Sequence, residues 1–189
     1  MSHRLGGGAR WATACVGAAV LALTFVVSPL AGAASATSAR PGQSSLGRCV
    51  TPGLVVWLDT AGNGTAGSTY YNLQFTNLSG TSCELSGFPG VSAVGLTGLQ
   101  VGPAAGRSLT GAAVSVRLAP GATSTSVLQL TDVANFPSSA CHEVLAAGLR
   151  VYPPGATASK LVPYPFEACS SEDSIFLHVR SVEKGVFTQ

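Results

Sequence analysis

Short runs in which every second residue is apolar recur along this chain, the spacing of strands that bury one face and wet the other. Tyr71, Leu73 and Phe75 alternate with Asn72, Gln74 and Thr76 in residues 70–77. Val114, Val116 and Leu118 alternate with Ser115 and Arg117, and Leu128 and Leu130 point together within residues 124–131. Ile175, Leu177 and Val179 predict a last strand, with Phe176, His178 and Arg180 on its opposite face. Residues 54–58, 91–96 and 149–151 are short β-prone runs, and residues 160–164 read as an edge strand limited by its prolines. Eight strands are expected.

Glycine and proline punctuate these segments. Gly87-Phe88-Pro89-Gly90, Ala119-Pro120-Gly121 and Pro153-Pro154-Gly155 read as turns, and residues 62–67 as a mobile hairpin loop. One helical turn is expected near residues 138–147, between Pro137 and Gly148. Regularly spaced short strands predict an all-β chain, an antiparallel β-sandwich of about 7–8 strands.

The first residues follow a different pattern. Arg4 and Arg10 precede an apolar stretch from Trp11 to Leu30, and Ala31-Gly32-Ala33 then offers a small-x-small cleavage site. Residues 1–33 are therefore read as a signal peptide, with Ala34-Ser35-Ala36 giving a second possible cut after residue 36. Residues 34–47 read as a flexible leader, and 48–189 as one domain, a comfortable size for one core. The membrane is met only through the signal, before cleavage. Neither Cys15 nor Cys49 sits where lipidation wants a cysteine, so a free secreted product is expected, extracellular or wall-associated.

Export changes the reading of charge. Loss of Arg4 and Arg10 lowers Lys+Arg from 10 to 8, equal to the 8 Asp+Glu. A neutral domain with no basic stripe argues against nucleic acid as a partner. It also leaves four cysteines, Cys49, Cys83, Cys141 and Cys169, an even count that reads as two disulfides. Three connectivities are possible. Cys49–Cys83 with Cys141–Cys169 is favoured because sequential pairing joins the ends of neighbouring elements. A four-cysteine zinc site would show close C-x₂₋₄-C pairs, and none occurs.

Catalytic signals are sparse. Gly62-x-Gly64-x-x-Gly67, with Glu84 about twenty residues on, resembles a dinucleotide fingerprint. The residues that follow, Ser68-Thr69-Tyr70-Tyr71, open a strand where a phosphate-binding helix would be needed. No Gly-x-Ser-x-Gly elbow occurs, and only His142 and His178 remain after the signal. Glu172-Asp173 is an adjacent acidic pair in a loop. Asn63-Gly64-Thr65 and Asn77-Leu78-Ser79 fit the glycosylation sequon. No catalytic residue, metal site or cofactor is expected. Candidate binding residues are Tyr70, Tyr152, Tyr164 and His178, on or beside strands where amphipathic side chains anchor partners.

Cys49 before a short strand, then the stretch from Thr76 through Cys83 and Phe88-Pro89-Gly90 to Val91, resembles a family of exported actinobacterial domains, domain of unknown function 4232. Leu118-Ala119-Pro120-Gly121, Val151-Tyr152-Pro153-Pro154-Gly155 and Cys169 before a final strand extend the likeness over residues 48–182. The resemblance implies an immunoglobulin-like sandwich, secreted or attached to the envelope, and no particular activity. The expected function is a secreted, non-catalytic module binding a protein or envelope glycan. A carrier of a small apolar ligand between the sheets and a hydrolase with an unrecognised site are the alternatives.

Overall fold

Tyr71, Leu73 and Phe75 turn one face of their strand inward, and the rest of the architecture is built against that face. The computed structural model describes residues 46–110 and 114–185. The expected signal peptide (1–33), residues 34–45 of the leader and 186–189 of the domain lie outside the described residues. The last leader residue is already tied down: the Gly47 carbonyl accepts from the Glu84 amide at 3.0 Å.

The described residues form twelve strands: β1 (Leu54–Thr65), β2 (Ser68–Asn77), β3 (Cys83–Ser86), β4 (Gly90–Val94), β5 (Gln100–Val101), β6 (Gly106–Arg107), β7 (Ser115–Leu118), β8 (Thr123–Thr131), β9 (Glu143–Tyr152), β10 (Lys160–Cys169), β11 (Leu177–Val179) and β12 (Glu183–Lys184). The larger sheet runs β1-β2-β8-β11-β6, with β12 also pairing β8. The second sheet runs β10-β9-β4-β5, and β3 pairs β7 as a separate ribbon. Pairing is antiparallel except between β11 and β6. Leu73, Phe75 and Leu128 of the larger sheet share one buried core with Ala93, Leu149 and Val151 of the second, and Leu85 and Val116 of the ribbon join it. The result is a β-sandwich.

Each of the eight expected strands is present. The four additional ones are β3, β5, β6 and β12; the last three have two residues each, too short to display a period, and β3 has only four, with Cys83 and Leu85 buried. Residues 91–96 stop pairing at Val94, because a turn closed by Gly98 N donating to Gly95 O follows, leaving Leu96 on the surface. The expected helical turn is shorter, α1 (Ser138–Cys141); His142 ends it in the left-handed region at φ 49°, and β9 begins at Glu143.

Residues 62–67 are not a loop. β1 continues to Thr65 and meets Ser68 through the two-residue turn Ala66-Gly67, where both φ angles are positive (28° and 80°). That is the geometry that matches the twist of a hairpin. Gly62 has a packing role: a Cβ there would lie 2.5 Å from Tyr71 Cε1. No helix follows, so the glycines build a hairpin arm.

The disulfides are Cys49–Cys83 and Cys141–Cys169, with Cα separations of 4.9 and 4.5 Å. Cys83 opens β3, and its bridge fastens the start of the domain to the β3–β7 ribbon. The turns at Pro120-Gly121 and Pro154-Gly155 form as read, with Gly121 and Gly155 at φ 79° and 68° and 2.9 Å closing hydrogen bonds.

Candidate functional site

Because the inward side chains of β2 are Tyr71, Leu73 and Phe75, its outward ones are Tyr70, Asn72 and Gln74. Cross-strand register arranges that outer face in rows. Trp57 lies beside Gln74, then Thr125 and Glu183. Asp59 lies beside Asn72, then Val127, whose carbonyl accepts from Arg180 N at 3.0 Å. Tyr70 lies beside Gln129, then His178, then Gly106. Val127 is only 2% exposed yet lies outside the core cluster, so the outer face covers it with its own side chains.

The Tyr70 row opens into a hollow of about 110 Å³. Tyr70, Ser108, Thr110, Gln129, His178 and Arg180 line it, with Val127 at its base. The Ser108 amide donates to Val179 O at 2.9 Å, which places the segment after β6 at the rim. Ser108 and Thr110 share a 2.9 Å hydroxyl hydrogen bond, and Gln129 Nε2 donates to Ser68 Oγ at 3.1 Å. His178 Nδ1 is shielded from solvent and has no hydrogen-bond partner. Gly106 makes room for that ring: a Cβ there would be 2.8 Å from His178 Cδ2. No carboxylate is among the lining residues.

Two of the four candidate residues, Tyr70 and His178, are thus brought together. The other two are elsewhere. Tyr152 packs beside Gly90 in the second sheet. Tyr164, on β10, donates its hydroxyl to that of Tyr71 at 2.5 Å, and its ring meets Tyr71 edge-on with centroids 5.3 Å apart. Burial, and then the bond to Tyr71, push the Tyr164 phenol up to about 12. His142 is exposed at the end of α1, and Glu172 and Asp173 are exposed in a loop. Among the described residues, no three His, Cys, Asp or Glu side chains gather as a metal site requires.

The face also includes residues that the sequence pattern did not single out. Gln129 belongs to the polar side of an alternating strand, but which neighbours it would face was not encoded locally. Ser108 and Thr110 follow a two-residue strand with no periodic signal at all.

One sequon reading changes. Asn77 is fully buried; its Nδ2 donates to Thr81 O and Leu118 O at 2.9 and 3.0 Å, and its Oδ1 accepts from Ser79 N at 2.9 Å. This amide is a turn scaffold, closed to a glycan, whereas Asn63 is exposed.

A larger groove of about 280 Å³ lies between residues 48–52 and 155–158. Its polar groups are engaged in joining its own walls: Arg48 Nη1 donates to Gly155 O and Thr51 Oγ1 to Ala158 O, both at 3.0 Å. The smaller hollow has the richer chemistry.

Fold and face define a disulfide-stapled β-sandwich domain with a polar, aromatic-bearing outer surface. The chain belongs to the DUF4232 family, described as a domain of unknown function, whose family model matches residues 49–182. No curated protein and no solved structure matches the chain. Among the described residues no helix is long and apolar enough to cross a membrane.

Proposed function

We propose that this is an exported, non-catalytic binding module that meets a protein or envelope glycan on the outer face of its larger sheet. The observation that carries this reading is the ordered face itself: Trp57, Asn72, Tyr70, Gln129 and His178 stand in cross-strand rows beside a polar hollow. Two disulfides suit an oxidising compartment. Phe75 and Phe176 are fully buried in the core, which favours surface recognition over a ligand carried between the sheets.

The test is retention of an envelope component by the immobilised mature chain. Capture is expected to be lost in Trp57→Ala and Tyr70→Ala and kept in Leu161→Ala, which alters an exposed residue of the second sheet. Turnover of a substrate without any stable partner would overturn the reading.

A further inference from the structure

We infer that the Asn63-Gly64 pair in the distal arm of the β1–β2 hairpin is a site of self-modification, at which the asparagine amide leaves as ammonia through a cyclic imide and aspartate or isoaspartate remains. The chain has four asparagines, and the residues that follow them are Gly64, Leu73, Leu78 and Phe136. Ring closure requires the main-chain nitrogen of the following residue to reach the asparagine's own side-chain carbonyl. Only at position 64 does that residue lack a Cβ, so only there is the approach unhindered. Asn63 and Gly64 are both exposed, and a Cβ at Gly64 would meet nothing within 4 Å, so no neighbour walls off the reaction.

The chemistry needs water and nothing else. The Gly64 nitrogen attacks the side-chain carbonyl carbon of Asn63, and a C–N bond forms. The bond from that carbon to the amide nitrogen breaks, and ammonia departs with the proton that Gly64 gave up. Water then adds to either carbonyl of the imide and breaks its C–N bond, returning a proton to the nitrogen. Opening at one carbonyl leaves aspartate in an ordinary backbone. Opening at the other leaves isoaspartate, whose backbone is longer by a methylene.

Pairing decides how often the reaction starts. An extended Asn63 holds the Gly64 nitrogen turned away from its side-chain carbonyl, so position 63 must first leave its strand conformation. The fold makes that departure local. β1 is the edge of the larger sheet and pairs with β2 alone. Its register breaks between Asp59 and Asn63, where Thr60, Ala61 and Gly62 stand against Tyr71. Asp59 Oδ1 accepts from Ala61 N at 3.1 Å and braces the break, so opening stops there. Beyond it three pairs remain, Asn63–Tyr70, Gly64–Thr69 and Thr65–Ser68. The β2 half of the arm is held by β8 through Ser68–Thr131, Thr69–Leu130 and Tyr70–Gln129, so residues 63–65 peel away without disturbing the sheet. The other asparagines lack this freedom. Asn72 is paired on both sides, Asn77 is buried, and Asn135 Nδ2 donates to Gly67 O at 2.7 Å. Because Asn63 stands opposite Tyr70, its product places a carboxylate beside the Tyr70 row, and isoaspartate spoils the register of the three pairs. This chemistry is independent of what the outer face binds.

The experiment incubates the mature chain in warm, mildly alkaline buffer and follows position 63 by peptide mass mapping, with chromatography separating isoaspartate from aspartate. Position 63 is expected to convert in the folded chain before any other asparagine, and more slowly than in the same chain unfolded in urea. Gly64→Ala is expected to slow conversion about tenfold or more, and Gly62→Ala, which crowds Tyr71 at the break, to speed it several-fold. Cys49→Ser/Cys83→Ser weakens the fold at the opposite end of β1 and is expected to leave the rate unchanged. A rate that rises in step with the lost stability would place the reaction in the globally unfolded chain and overturn the local route. Unfolding midpoints check that each variant is folded; should the serine pair not fold, the opposite responses of the two glycine variants decide, and equal responses count against the site. Conversion at position 63 no faster than at Asn72 or Asn135 in the folded chain overturns the inference. So does its absence over a period in which the urea-unfolded chain reacts fully.

Discussion

Tyr164 and Tyr71 join the two sheets through a single 2.5 Å hydrogen bond between phenols. Tyr71 stands on β2 of the larger sheet against Gly62, and Tyr164 on the edge strand of the second sheet, stacked on Phe166 at 5.9 Å. Loss of this bond in Tyr164→Phe is expected to lower stability by about 1 kcal/mol, measured by urea unfolding. A change below a few tenths would mean that water replaces the partner at no net cost.

The same pair sets an alkaline limit. The Tyr164 phenol is pushed up to about 12 in the folded protein, from an ordinary value of about 10. The folded state therefore holds this proton longer than the unfolded one, a contribution complete below pH 10 and lost as pH rises through 12. The unfolding midpoint of the native chain is expected to fall more steeply across that window than that of Tyr164→Phe. Parallel curves would contradict the assignment.

Gly62 and Gly64 differ although both lie in β1. An alanine Cβ at Gly62 would meet the Tyr71 ring at 2.5 Å, whereas one at Gly64 meets nothing within 4 Å. Gly62→Ala is expected to destabilise by about 1–3 kcal/mol, and Gly64→Ala to change stability by about 0.5 kcal/mol or less. Equal effects would show that backbone freedom, not ring packing, selects glycine here.

The buried Asn77 amide holds the turn between β2 and β3. Asn77→Ala removes one donor from each of the Thr81 and Leu118 carbonyls and opens a gap in a buried turn, and is expected to cost about 2–4 kcal/mol. Expression in a glycosylating host, followed by peptide mass mapping, should find Asn77 unmodified in folded product.

Each disulfide closes a long loop, Cys83 lying 34 positions after Cys49 and Cys169 lying 28 positions after Cys141. Replacing either pair by serines is expected to remove about 3–4 kcal/mol in the chain-entropy description. A Cys49→Ser/Cys83→Ser protein should also lose protection at the Gly47–Glu84 contact in hydrogen exchange, since the bridge anchors that end.

The limits of what the sequence encodes are clear in particular elements. Period-two alternation located β2, β7 and β8 because each covers the core with one face and the same side chains repeat that fact every second residue. It failed at residues 175–176. Phe176 is fully buried and Ile175 is 45% exposed, the reverse of the alternation, because pairing of β11 starts only at Leu177 and the preceding residues are not extended in a ladder. The prolines at 163 and 165 correctly placed β10 at an edge, since a residue without an N–H cannot serve an interior ladder.

The chain by itself determined the β class, the eight main strands, the turns and the presence of two disulfides, whose pairing among three connectivities the tertiary structure decided. These follow from local periods, from backbone freedom at glycine and proline, and from the count of thiols. Tertiary structure alone decided that Tyr70 and His178 would share a hollow while Tyr152 and Tyr164 would not, and that Ser108, Thr110 and Gln129 would complete it. Cross-strand register brings together residues from β2, β6, β8 and β11, far apart in sequence, and no local pattern records which strands become neighbours.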